Sequence, residues 1–344
     1  MKFRIIFFLL VIAIAACSNK KDEKSDLEKK DSVENSGQIA KEEIIGPKIQ
    51  LHYKFKKGDK FSYMLNTSSV NSESIAADTT LTNLIKQNVS YVFNFVVNNI
   101  SEIEGTELIT TISSIVAESN FNKQVIKYDS KYIYSTREKV QFVDYEAVKK
   151  VPFRIYVNNI GQITKVDKIE KIINNILSIQ QVPDTLSKAT KEKMIYNIAN
   201  GTLMPLTQQV FKVISEDEVG VNSTWELKFN TPLAVFDVEN TAVFKIKELN
   251  FDEDTIANIS SSLLMSVKGN NIVTENNVKY TFDSPKLDGS GRVKFNNTRG
   301  LVEFSESKTN LQMSMLMEGM DNQNQLKQNR KSDNSTNINT VKLL

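Results

Sequence analysis

Alternation of apolar and polar residues at a period of two constrains this chain more than any other feature. Ile49, Leu51, Tyr53 and Phe55 follow it, then Phe61, Tyr63 and Leu65, then Val89, Tyr91, Phe93, Phe95 and Val97. Successive side chains of a strand point to opposite faces, so this spacing gives each strand one buried and one wet face. Lys56-Lys57-Gly58-Asp59-Lys60 separates the first two runs and predicts a hairpin between them. Residues 108–116, 124–128 and 131–134 continue the pattern, so strands are expected over 49–166, as antiparallel sheet.

After Val166 the period changes. Ile169, Ile172, Ile173, Ile176 and Leu177 recur at three- and four-residue intervals, which places them on one face of a helix. A second helix fits 188–199 and is stopped by Gly201, and a third fits 205–214, so helices fill 167–215. Strands return over 221–318, beginning with Trp225, Leu227 and Phe229 and continuing at 243–249, 259–267, 277–282, 292–295, 301–304 and 311–317.

This second strand set repeats the first. Asn88-Val-Ser-Tyr-Val-Phe, a turn at Glu104-Gly105 and a strand at 108–116 are echoed by Asn240-Thr-Ala-Val-Phe, a turn at Asp252-Glu253-Asp254 and a strand at 259–267. Arg154-Ile-Tyr-Val-Asn-Asn-Ile-Gly is echoed by Arg292-Val-Lys-Phe-Asn-Asn-Thr-Arg-Gly, and Asn-Asn before glycine suits a turn that needs positive φ. The economical fold is a single α+β domain over 47–320. It is one large, curved antiparallel sheet, half-barrel-like, made of two related strand sets, with a central helical insert on its concave face. Two separate β domains are the alternative.

Both ends differ from this middle. Met1-Lys2-Phe3-Arg4 leads into the 12 apolar residues from Ile5 to Ala16. A membrane span needs roughly 20, so this run reads as a cleaved signal over 1–16. Ile14-Ala15-Ala16-Cys17 resembles the lipobox of bacterial lipoproteins. That resemblance implies peptidase recognition at Ile14, Ala15 and Ala16 and a lipid on Cys17, where two or three acyl chains at about 0.8 kcal/mol per buried methylene hold a protein permanently. Residues 17–46 carry mixed charge and little to bury, which predicts a disordered tether. Within it Lys21-Asp22-Glu23 resembles the lysine-plus-two-acids export signal of Bacteroidetes surface lipoproteins, and a plain solvated spacer is the other reading. Residues 321–344, rich in Asn, Gln, Ser and Lys, are expected to be a disordered tail.

Composition excludes most chemistry. Net charge is +2, and removal of Lys2 and Arg4 with the signal leaves 41 basic against 41 acidic side chains, with no basic stretch interleaved with aromatics. No nucleic-acid partner is expected. Cys17 and His52 are the only cysteine and histidine, so neither disulfide, histidine triad nor cysteine–histidine metal cage can form. His52 alternates with Leu51 and Tyr53 and should face water. No serine-elbow or phosphate-loop motif is present. Asp252, Glu253 and Asp254 crowd a hairpin tip without calcium-loop spacing, so neither a metal nor a cofactor is expected. Trp225 is a core anchor or a cavity wall, and the methionines of Leu311-Gln-Met-Ser-Met-Leu-Met are core residues or flexible contacts of an apolar pocket.

Gly58-Asp-Lys-Phe-Ser-Tyr at the opening and Gly291-Arg-Val-Lys-Phe-Asn-Asn-Thr-Arg-Gly-Leu at the close resemble an uncharacterised domain family of Bacteroidetes lipoproteins, over roughly residues 48–318. That family carries no assigned activity. The layout is also similar, in topology alone, to the half-barrel of periplasmic lipoprotein carriers and mycobacterial lipid-carrier lipoproteins. Asp-Ser/Thr-apolar triplets at Ser32, Thr79, Thr185 and Thr255 resemble Bacteroidetes O-glycosylation acceptors. Together these imply a non-enzymatic protein of the bacterial cell envelope, lipid-anchored at the outer membrane, binding a hydrophobic small molecule or lipid between sheet and helices. The alternative is a structural lipoprotein with a filled core that docks an envelope protein or wall component.

Overall fold

The computed structural model describes residues 42–77, 79–182, 186–320, 323 and 325–344. The first half runs β1 (Ile45–Ile49), β2 (Lys60–Ala76), β3 (Thr80–Ser101), β4 (Gly105–Phe121), β5 (Gln124–Asp129), α1 (Thr136–Gln141), α2 (Val143–Glu146), β6 (Pro152–Val157) and β7 (Ile163–Asp167). Helices α3 (Glu170–Ile179), α4 (Lys188–Ile198) and α5 (Met204–Gln208) follow, then β8 (Val219–Val221), β9 (Thr224–Leu233), β10 (Phe236–Phe251) and β11 (Thr255–Lys268). The chain ends with β12 (Ile272–Glu275), β13 (Val278–Phe282), β14 (Lys286–Asn296), β15 (Leu301–Met320) and β16 (Leu326–Leu343).

β1 pairs with β8, and the other strands form one antiparallel sheet whose main path is β7-β6-β4-β3-β2-β16-β15-β14-β11-β10-β9. The path ends at β7 and β9, so the sheet is not closed. Its order exposes the repeat. β2, β3, β4, β6 and β7 lie side by side in the same sequence as β9, β10, β11, β14 and β15. The chain makes its excursion at the same point in both units, through β5, α1 and α2 in the first and through β12 and β13 in the second.

β16 joins the two units. It pairs with β15 in unbroken register from Phe304↔Lys342 to Met320↔Leu326, and with β2 from Tyr63↔Leu343 to Ala76↔Arg330. The expected disordered tail at 321–344 is therefore corrected: most of it is the central strand of the sheet. Alternation failed to find it because it has no apolar face. Val341 is its one fully buried apolar side chain, while Asn337, Asn339, Ser335 and Asp333 occupy the same face. Ladder hydrogen bonds to both neighbours replace hydrophobic burial as the reason for extended backbone.

Four further expectations are revised. The hairpin between 49–55 and 61–65 does not form, because β2 pairs with β3 and β16 while Ile49 pairs with Val219. Residues 131–134 are not a strand but a turn that leads into α1, where Ser135 and Glu138 form a capping box. The strands expected at 301–304 and 311–317 are one strand, β15. Gly201 does not stop the second helix, since a π-helical turn at Ala199–Leu203 carries it into α5, which has Pro205 at its start. The described end of the tether is also tied down: Glu42 pairs with Lys245 at 2.6 Å, and Asn222 donates to the Glu43 carbonyl at 3.1 Å.

The core lies on one face, called inner below. Tyr63 and Leu65 of β2, Val89 to Val97 of β3 and Ile115 of β4 supply it by alternation, and Ile172, Ile173 and Leu177 of α3 pack against it. An aromatic cluster forms its centre, with Phe211 at 5.3 Å from Phe95 and 6.4 Å from Tyr63. Burial of these rings is the main stabilising term, each removing about 150–250 Å² from water.

Candidate functional site

The segment after α5 crosses the inner face as an irregular strap, Val210 to Ile214, held by side-chain hydrogen bonds in place of a ladder. The Tyr53 hydroxyl donates to the Lys212 carbonyl and accepts from the Lys212 amide, both at 2.8 Å. Burial pushes that phenol well above its usual range. Gln208 donates to the carbonyls of Phe211 (2.8 Å) and Gly161 (3.0 Å), and Ile214 donates to the Ile160 carbonyl at 3.0 Å. Trp225 stacks on Phe244 at 5.3 Å between ring centroids and donates to the Val213 carbonyl at 3.4 Å. The only tryptophan thus bolts the strap to the sheet and packs against the core as an anchor; the cavity is lined by its partners Val213 and Phe244, not by Trp225 itself.

Two related turns fix the strand that carries Tyr53. Gly161 has φ +86°, and a Cβ there would lie 2.3 Å from the Tyr53 ring; Gly300 has φ +67°, and a Cβ there would lie 2.1 Å from the Lys54 nitrogen. These are the glycines of the repeated Asn-Asn motif, and the stretch from Leu51 to Phe55 passes between them. Asn158 accepts from the amides of Ile160 and Gln162, Asn296 from that of Arg299, and Asn297 from that of His52 at 3.1 Å. His52 itself is exposed, as alternation requires.

Beneath the strap lies a cavity of about 50 Å³, room for a few waters or one small polar group. Phe211, Lys212 and Val213 form its roof; Leu227, Phe244, Ser261, Leu263, Gly289 and Ser307 lie below. The Lys212 side chain is half-buried, and burial pulls its amine down to about 8. Among the described residues no anion pairs with it: Glu306, which borders the cavity, belongs by alternation to the outer face and pairs with Arg292 at 3.4 Å. Lys212 escaped the sequence reading, although a single lysine within Val210-Phe211-Lys212-Val213-Ile214 was a legible signal.

From this cavity the inner face of the second unit continues as an apolar track. Leu263, Met265 and Val267 of β11, Leu287 of β14, and Leu311, Met313 and Met315 of β15 succeed one another at inner positions, and several are only half-buried. A separate cluster of Phe236, Val238 and Phe282 closes the far end. The methionines therefore do share one face. Beside them runs a polar row on β16 and β2, in which Lys331 bonds Glu73 at 2.5 Å and approaches Asp333 at 3.5 Å.

Other hollows among the described residues include the following two. One of about 30 Å³ lies at Tyr128, Phe142, Asp144 and Tyr145, where burial raises the Asp144 carboxyl. The other, about 600 Å³, is an open cleft at the rim, between Tyr53, the turn at 101–105 and Lys165. Among the described residues no group of three or more His, Cys, Asp or Glu is placed to hold a metal ion.

Of the residues singled out in the sequence, Ile14, Ala15, Ala16, Cys17, Lys21, Asp22, Glu23, Ser32 and Thr185 lie outside the described residues. Thr79 is exposed beside the start of β3, and Thr255 opens β11 at the opposite end of the sheet, where its amide donates to Thr298 at 2.8 Å. The structure does not bring them together. Asp252 and Glu253 are exposed at the tip after β10, and Asp254 accepts from Asn296 at 2.8 Å.

A family model matches residues 104–302, from the turn before β4 to the first residues of β15. The chain belongs to DUF6263, a family of unknown function. No curated protein sequence matches the chain. Among solved structures it is similar to one titled "Lipid-protein interactions in lipovitellin", at 9% identity and TM-score 0.45, covering 85% of this chain and 25% of that one. It is also similar to an outer membrane channel from Pseudomonas putida F1, at 8% identity and TM-score 0.20, covering 85% and 97%, and to Pseudomonas aeruginosa OccK2, at 6% and 0.18, covering 83% and 98%. The chain thus spans a quarter of the lipovitellin structure's length.

Proposed function

We propose that the chain is a non-enzymatic, lipid-anchored protein of the bacterial outer membrane that binds a hydrophobic or lipid ligand. In this reading Cys17 carries the anchor, the sheet curves as a half-barrel, and α3 to α5 with their strap cover the concave face of the first unit. The observation that carries it is the apolar track: Met265, Leu287, Met313 and Met315 sit at inner positions without helix cover and are half-buried. Flexible thioethers suit a surface that moulds to an acyl chain. The 50 Å³ cavity admits only a ligand's polar end, so the chain would lie along the track.

The outer face supports a water-exposed sheet over a membrane wall. Outer positions of β16 read Gln328, Arg330, Ser332, Asn334, Thr336, Ile338 and Thr340, whereas a bilayer-facing strand needs an apolar band about 25 Å tall. The second reading, a filled core that docks an envelope protein, is favoured by the tight aromatic packing around Phe211. Native mass spectrometry after gentle extraction from the host separates them. A retained adduct of lipid mass supports the first, and absence of any adduct together with failure to bind fluorescent fatty acids favours the second. Intact mass of the same sample tests the acyl groups on Cys17.

A further inference from the structure

Resting on the ligand-binding reading, we propose that Lys212 is the headgroup site and that the ligand is an anionic amphiphile. The carboxylate or phosphate enters the cavity under the strap, and its chain leaves past Leu263 along Leu311 and Met313.

Three independent observations meet here. The first is a lysine, Lys212, among the residues that line the cavity, with no described residue supplying a counter-anion. Elsewhere on the inner face the sheet neutralises its lysine, as Glu73 does for Lys331. A desolvated, unpaired ammonium is costly, and a bound anion removes that cost. The second is the floor. Ser261 and Ser307 line the cavity, and the next inner position of β15, Ser305, is 1% exposed with a hydroxyl that has no hydrogen-bond partner. Ser307's register partner is Asn339, whose side-chain oxygen is likewise buried without a partner. Ser305 and Asn339 adjoin the cavity without lining it, and the two serines that do line it, Ser261 and Ser307, suit a polar ligand end and not an alkyl chain. The third is continuity: Leu263 belongs to both the cavity wall and the track.

The strap's backbone is fixed by Tyr53, Gln208 and Trp225, so Lys212 is held at the cavity and only its side chain needs ordering on binding. Trp225 is also a built-in reporter, being the only tryptophan and stacked on the cavity-lining Phe244. The test is titration of the full chain with palmitate, hexadecyl phosphate and hexadecanol below their aggregation thresholds, read by tryptophan fluorescence and equilibrium dialysis.

The wild type is expected to bind one or both anions at least about ten-fold more tightly than the alcohol, and the arm that binds identifies the headgroup. Lys212→Met should bring the anion down to the alcohol's affinity, while Lys212→Arg retains the preference. Equal affinity for acid, phosphate and alcohol in the wild type, or a preference that survives Lys212→Met, overturns the headgroup site but leaves the apolar track standing. Absence of binding by all three overturns both.

Discussion

A lysine kept for binding should cost the free protein stability, and Lys212 gives a number to test. Burial takes its amine from 10.5 to about 8. At about 1.4 kcal/mol per pKa unit the penalty has an upper bound of about 3 kcal/mol, and because the side chain is only half-buried, solvent screening reduces the expected value to about 1–2 kcal/mol. The folded-state value lies below the unfolded one, so the sign is fixed. Below pH 8 both states hold the proton and the native state bears the full penalty. Between pH 8 and 10.5 the native state has released a proton that the unfolded state keeps, so wild-type stability rises relative to a variant without the amine. Lys212→Met should therefore be about 1–2 kcal/mol more stable than wild type at pH 7, and the gap should close towards pH 10.5. Urea unfolding of both proteins at pH 7, 9 and 10.5 measures it, and comparing the two at each pH cancels the titration of other lysines and tyrosines. A variant less stable than wild type at pH 7, or an advantage that does not change with pH, refutes the reasoning.

Thr336→Pro removes a ladder donor from β16 midway between Asn310 and Val70, and should cost about 3 kcal/mol or more in urea unfolding; a disordered tail would show no change. Gly300→Ala and Gly161→Ala combine a left-handed backbone with a clash against Lys54 or Tyr53, so each should cost about 2–5 kcal/mol. Gly58→Ala, with φ +91° and open space around it, should cost only about 1–2 kcal/mol in the same urea unfolding. Lys331→Met strips Glu73 of the hydrogen bond that holds its carboxyl below the usual range. That depressed value means the stabilisation is present above the carboxylate range and lost as pH falls through it. The variant should thus be about 1 kcal/mol less stable at pH 7 and equal to wild type near pH 3, as read by urea midpoints.

Where burial made the strands, the sequence showed them. β3 alternates from Val89 to Val97 because each odd residue enters the core, and α3 shows a 3.6-residue period because Ile172, Ile173 and Leu177 meet that same core. Leu51, Tyr53 and Phe55 alternate for a different reason. They are buried on one side without being in the sheet, and alternation alone cannot separate an extended strip from a paired strand. The site was less legible still. Lys212 stands between Phe211 and Val213 in sequence, but the absence of a paired anion among the described residues depends on strands β11 to β15, far along the chain.

β16 shows why the joint between the two units was invisible. Each unit is a five-strand meander with two edges, and an unpaired edge invites other strands. Here the last strand of the chain fills the gap between β2 and β15, satisfying both edges at once. That position demands hydrogen-bonding backbone, which every residue but proline supplies, and makes almost no demand for apolar side chains. The inner face at this point is the polar row of Asn337, Ser335 and Asp333, and the outer positions are mostly polar too, so selection for burial never wrote a period into the segment. The family match ends at residue 302, before all but the first two residues of β15 and before β16, and it begins after β2. Most of what joins the two units therefore lies outside the matched region, while the repeat's glycine turns and the Lys212 strap lie within it.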